Sequence, residues 1–160
     1  MNGEARGRAG VERIVSGGQT GVDRAALDAA IALGIPCGGW CPRGRRAEGG
    51  PIPDAYPLRD TPTAAYPERT AWNVRDSDGT LVLTHGVPTG GTALTVRLAR
   101  RAGKPVLVAD PGQDPPGTVA AWLLREGIRT LNVAGPRESE APGIHDRAVS
   151  FLCGVLGGER

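Results

Sequence analysis

Lysine is almost missing from this chain: Lys104 stands alone within a combined Lys and Arg count of 19. A Walker A loop needs a lysine after its glycines, and no glycine-rich turn here has one. Cysteines are few and odd in number (Cys37, Cys41 and Cys153), and no secretory apolar region precedes Val11. That excludes a disulfide framework and leads us to expect a cytoplasmic protein with reduced thiols. Cys37 and Cys41 lie close together without a Cys/His pair elsewhere, which argues against structural zinc. His85 and His145 lack ligand spacing, so no metal site is expected. Long hydrophobic runs are also missing, and no segment is expected to span a membrane. With no Lys/Arg tract and a net charge of +2, nucleic acid is not an expected partner.

Glycine and proline are abundant, at 25 and 14 residues in a chain of 160. They are not periodic; they punctuate apolar runs. The length fits one domain with a real core. Strands are expected at residues 13–16, 35–40, 79–84, 105–109 and 128–133, and helices at 22–33, 67–76, 92–101, 117–125 and 143–156. Residues 41–63 form a long Pro-, Gly- and Arg-rich loop with at most a short strand near 56–59. This alternation predicts a single α/β domain over residues 11–156 with a mainly parallel sheet. Flexible tails are expected at 1–10 and 157–160.

The turns differ by direction. Helix-to-strand turns are minimal, with Gly34, Gly103 and Gly127 as C-caps. Strand-to-helix connections are longer and richer in polar residues, and in a parallel sheet they share the carboxyl edge where ligands bind. The first carries Ser16, Gly17, Gly18, Gln19, Thr20, Gly21, Asp23 and Arg24 around a helix N-terminus, a placement that favours an anion. Its side chains exceed what a turn requires, although Asp23 also suits a helix cap. A second turn of this kind carries Gly90, Gly91 and Thr92, and together the two suggest one shared phosphate site. Trp40 reads either as a core aromatic or as a platform for a flat ring. Arg43, Arg45 and Arg46 read as solvated surface or as a phosphate clamp. Glu48 is the only carboxylate of residues 41–50, an acid/base candidate with no nucleophile beside it. Asn132 and residues 137–139 end the last strand and can reach the same crevice.

Taken in order, these motifs resemble the molybdenum carrier family. The resemblance rests on SGGQTGVDRAALD (16–28), GGWCPRGR (38–45), IPDAYPL (52–58), RTAWNVRDSDGT (69–80), GGTALT (90–95) and LNVAGPRES (131–139). It implies a Rossmann-like three-layer fold with helices on both faces of the sheet, related to lysine-decarboxylase-like phosphoribohydrolases. It further implies a cytoplasmic carrier that binds molybdenum cofactor (molybdopterin), a small phosphorylated pterin, for protection or transfer to a molybdoenzyme. Relatives of this kind assemble as dimers or tetramers, so a homo-oligomer is expected. The related hydrolases place a glutamate where this chain has Thr95, which argues for binding without catalysis. The alternative is a nucleotide-binding protein, either an N-glycosidic hydrolase of nucleoside monophosphates using Glu48 or a nucleotide-sensing module.

Overall fold

The computed structural model describes residues 9–157. The expected tails at 1–10 and 157–160 lie outside that range as far as position 8 and beyond 157. Ala9, at the near end, is 5% exposed and belongs to the core.

In chain order the elements are β1 (Arg13–Val15), α1 (Val22–Leu33), β2 (Cys37–Gly38), β3 (Trp40–Cys41), β4 (Arg59–Asp60) and α2 (Tyr66–Arg75). There follow β5 (Gly79–Leu83), α3 (Gly90–Arg101), β6 (Val106–Ala109), α4 (Pro116–Glu126), β7 (Thr130–Ala134) and α5 (Ile144–Leu156). Five strands form one sheet in the order β2-β1-β7-β5-β6, and every pairing is parallel. From the central β7, the β1-to-β2 connection steps one way and the β5-to-β6 connection the other. Right-handed crossovers in opposite directions put α1 and α3 on opposite faces. Accordingly α1 packs on α5 and α5 on α4, while α2 packs on α3. The domain is a Rossmann-like α/β fold.

Burial on both faces explains why β5 reads as an unbroken apolar run, with all five residues buried. Ile14, Leu81, Leu83, Leu131 and Val133 form the middle of the core. On α1, Ala25, Ala26, Ala29 and Ala30 are small enough for the helix to lie close to α5 and the sheet. Gly34 and Gly127 end their helices in the left-handed region, at φ 73 and 66.

The strand expected at 35–40 is split. Gly39 turns the chain at φ 128, and a Cβ there would overlap the backbone of Ser16. β2 therefore pairs with β1, whereas β3 leaves the sheet and pairs with β4. The long loop between β3 and β4 is packed, not loose. Ile52 and Leu58 bury against Leu27 of α1 and Cys41. Arg45 holds it from within, its guanidinium donating to the carbonyls of Ile52, Pro53, Tyr56 and Leu58. These bonds offset the strain of a non-glycine residue at φ 55.

Candidate functional site

A cavity of ≈ 220 Å³ opens at the carboxyl edge of β1 and β7. Four segments line it: the turn after β1, the inner face of α2, the first turns of α3, and the connection from β7 to α5. Of the residues singled out in the sequence, Gly17, Gln19, Asp23, Gly91 and Thr92 line it, as do Thr95, Asn132 and Arg137.

The others support the walls or lie away from them. Ser16 is fully buried and donates its hydroxyl to the Val133 carbonyl at 2.9 Å, tying β1 to β7. Gly21 stands at φ 79, where a Cβ would overlap the Pro136 carbonyl oxygen. Gly18, at φ 81, leaves room for Ile52 and Leu58. Arg24 folds back to the Gly18 carbonyl, with Nη2 at 3.0 Å. Thr20 donates to Glu48 and accepts the backbone N–H of Glu138 at 3.1 Å. Gly90 opens α3 at φ 52. Arg43 is exposed, and Arg45 is taken up by its loop.

Glu48 does not line the cavity. Its carboxylate accepts from Ser139 Oγ at 2.6 Å, from the Ser139 N–H at 3.1 Å and from the Thr20 hydroxyl. Those bonds, the one from the Ser139 hydroxyl foremost, hold its pKa below the usual carboxylate value. Glu48 is thus a clip joining three connections. Trp40 faces elsewhere as well. It borders a second hollow with Arg13, Arg59 and Asp76, and its ring meets Trp72 edge-on at 4.8 Å. Its Nε1 donates to Asp76 at 2.8 Å. Asn73 separates the two hollows, its amide bonded to the N–H and C=O of Trp40.

The first glycine turn already holds an anion of its own. The backbone N–H groups of Gln19 and Gly135 point at the Asp23 carboxylate, and Arg69 Nη1 lies 3.5 Å from it. The Val22 N–H is taken by the Pro136 carbonyl. Burial nevertheless pushes Asp23 up to about 6, against the pull of Arg69 and those N–H groups. By contrast, the opening N–H groups of α3 have no partner within their helix, and Gly91 and Thr92 bring them to the cavity. Thr95 lies one turn further, its hydroxyl bonded to the Gly91 carbonyl at 3.1 Å.

None of the three arginines read as a clamp lines the cavity: Arg46 lies over the Tyr66 ring and donates Nη1 to the Ala64 carbonyl at 2.9 Å, and Arg69 and Arg137 supply the positive charge there. Arg46, Arg69 and Arg137 converge on the ring of Tyr66, at 4.3, 5.3 and 5.4 Å from its centroid. They arrive from the long loop, from α2 and from the β7–α5 connection. Arg69 and Arg137 line the cavity; the exposed Glu140 stands 3.9 Å from Arg137. Tyr66, Arg69, Thr70 and Asn73 all face the cavity from α2. Their spacing of three, four and seven residues is that of one helix face, so a polar face turned inward was the available signal. Among the described residues, no three His, Cys, Asp or Glu side chains converge to hold a metal ion. No described helix is long and apolar enough to cross a membrane.

Comparison with known proteins agrees with this architecture. A crystal structure of a protein from Syntrophus aciditrophicus, named "Putative molybdenum carrier protein", superposes with a TM-score of 0.89. It is 45% identical, over 91% of this chain and 95% of that chain. No curated protein matches. The family model for the circularly permutated YpsA SLOG family matches residues 14–156. Permutation is visible in the sheet: with β7 counted first, the order β2-β1-β7-β5-β6 becomes the 3-2-1-4-5 of a doubly wound domain. In sequence, in fold and in strand order, this chain belongs to the circularly permutated YpsA SLOG family.

Proposed function

We propose that this protein is a carrier whose cavity holds a small phosphorylated molecule, molybdenum cofactor, for protection or transfer to a molybdoenzyme. The observation that carries the reading is that Arg69 and Arg137 line the cavity against the ring of Tyr66, beside the N-terminus of α3. Guanidiniums and helix N–H groups together form a seat for a phosphate. The anion seat therefore lies at the second glycine turn, since Asp23 fills the first. The structural relative named "Putative molybdenum carrier protein" supports molybdenum cofactor as the cargo. The cofactor would be held through its organic part, with Gln19, Asn73 and Asn132 offering polar contacts in the cavity. Two residues support binding without catalysis: Thr95 supplies a hydroxyl where the related hydrolases have a carboxylate, and Glu48, its pKa lowered by the Ser139 hydroxyl, lies outside the cavity. A nucleotide is the competing cargo.

The test is native mass spectrometry of anaerobically purified protein, then oxidation and pterin fluorescence. A pterin at up to one per chain is expected. Arg137→Ala should lower occupancy about tenfold, the worth of a charge-assisted hydrogen bond. A nucleotide mass in place of the pterin overturns the cargo assignment.

A further inference from the structure

Gln19 is 5% exposed and lines the cavity. Its Oε1 accepts the backbone N–H of Thr20 at 3.0 Å and that of Glu48 at 2.9 Å. Two donors on one oxygen settle which way the amide points. Nε2 is then a buried donor with no partner among the described residues. Such a group demands an acceptor.

Asp23, in the first turn of α1, lines the same cavity and is 6% exposed. Its carboxylate receives the N–H groups of Gln19 and Gly135 and stands near Arg69. About four lone-pair positions belong to a carboxylate, and the side-chain hydrogen bond that Asp23 accepts is from Arg69 Nη1 at 3.5 Å, so acceptor capacity remains. A free donor and a free acceptor thus lie together at the buried end. A phosphate is repelled there by Asp23. It belongs at the open end, where Gly91 is exposed and Arg137 half-buried.

We infer that the buried end reads a cyclic amide edge, with Gln19 Nε2 donating to the ring carbonyl and Asp23 accepting the adjacent ring N–H. The ligand enters ring first and leaves its phosphate at the mouth. Pterins carry this edge, and so do guanine and hypoxanthine; adenine presents the reverse pattern. This inference rests on the anion seat proposed above and names the other half of the ligand.

Calorimetric titration of the full chain with guanosine, inosine and adenosine monophosphates and with neopterin monophosphate tests it. The phosphate is common to all four; the guanosine, inosine and neopterin compounds carry the amide edge, and the adenosine compound, which shares the ribose of the first two, carries the reverse pattern. The guanosine, inosine and neopterin compounds should bind at least about tenfold more tightly than the adenosine compound. Gln19→Glu, which replaces the donor by an acceptor, should bring that ratio close to one. The wild-type ratio decides the matter even if the variant fails to fold. Neopterin binding above the two oxo-purine nucleotides identifies the edge as a pterin's, and the reverse order as a purine's. If all four bind alike and Arg137→Ala weakens all equally, the anion seat stands and the edge reading falls. If none binds, the anion seat itself falls.

Discussion

Asp23 sits where its charge is useful and costly at once. Burial raises its pKa from 3.8 to about 6, so the folded state binds a proton more tightly than the unfolded chain. Its contribution to stability is then fully present below pH 3.8 and is lost as the pH rises through about 6. A rise of that size corresponds to at most about 3 kcal/mol. Asp23→Asn removes this titration while keeping an oxygen for the Gln19 and Gly135 N–H groups. Urea unfolding of both proteins between about pH 4 and 7.5 should show wild-type stability falling relative to the variant, with the fall spread between pH 3.8 and about 6 and levelling off above that window. A difference that stays flat with pH contradicts the account. Arg69 keeps the cost from being larger. It stacks on Tyr66 and donates to the Gly17 carbonyl at 3.0 Å, so it is fixed whatever the state of Asp23.

At the scale of elements, the helices were legible because their ends are marked locally. Gly34 and Gly127 stand in left-handed C-caps, and the apolar spacing between caps needs no tertiary knowledge. The split at Gly39 was not legible, since its cause is the backbone of Ser16 lying against it. For the same reason the phosphate clamp was read from Arg43, Arg45 and Arg46, neighbours in sequence. Arg45 is instead a strut, and the arginines that meet at Tyr66 come from segments twenty or more residues apart. Gly17 and Gly21 were legible as a turn, yet what they make room for was not: Arg69 for one, Pro136 for the other. Two glycines at positive φ separate these effects. Gly21 at φ 79 has the Pro136 carbonyl against it, whereas Gly49 at φ 80 has nothing within 4 Å. Gly49→Ala should cost about 1–2 kcal/mol, the strain of the left-handed region alone. Gly21→Ala should cost at least about 2 kcal/mol more and loosen the β7–α5 connection. Thermal unfolding of the two variants measures the difference; equal losses would mean that the close approach at Gly21 is not a constraint.

Across the whole molecule, sheet order is set by which strands bury which faces, and chain order enters only through the connections. β7 is last among the strands and central in the sheet, paired with β1 on one side and β5 on the other. No local pattern announces that placement, because both of its pairings are remote in sequence. The same independence makes it testable. A chain opened in the exposed segment after Asp110, between Gly112 and Gln113, and closed by a flexible linker between the present ends would carry α4, then β7, then α5 and β1. The strand now last would come first, in the order of an unpermuted doubly wound domain. Every pairing of the present sheet could form in it, and the cavity between β1, β7, α2 and α3 would be unchanged. Such a protein should fold cooperatively, with a far-ultraviolet circular dichroism spectrum like that of the parent. Its affinity for guanosine monophosphate should lie within about threefold of the parent's, since loop closure costs change only slowly with linker length. A permutant that folds but loses the ligand would mean that the connection after β6 contributes to the site, against the present assignment of its walls to the connections after β1 and β7, to α2 and to α3.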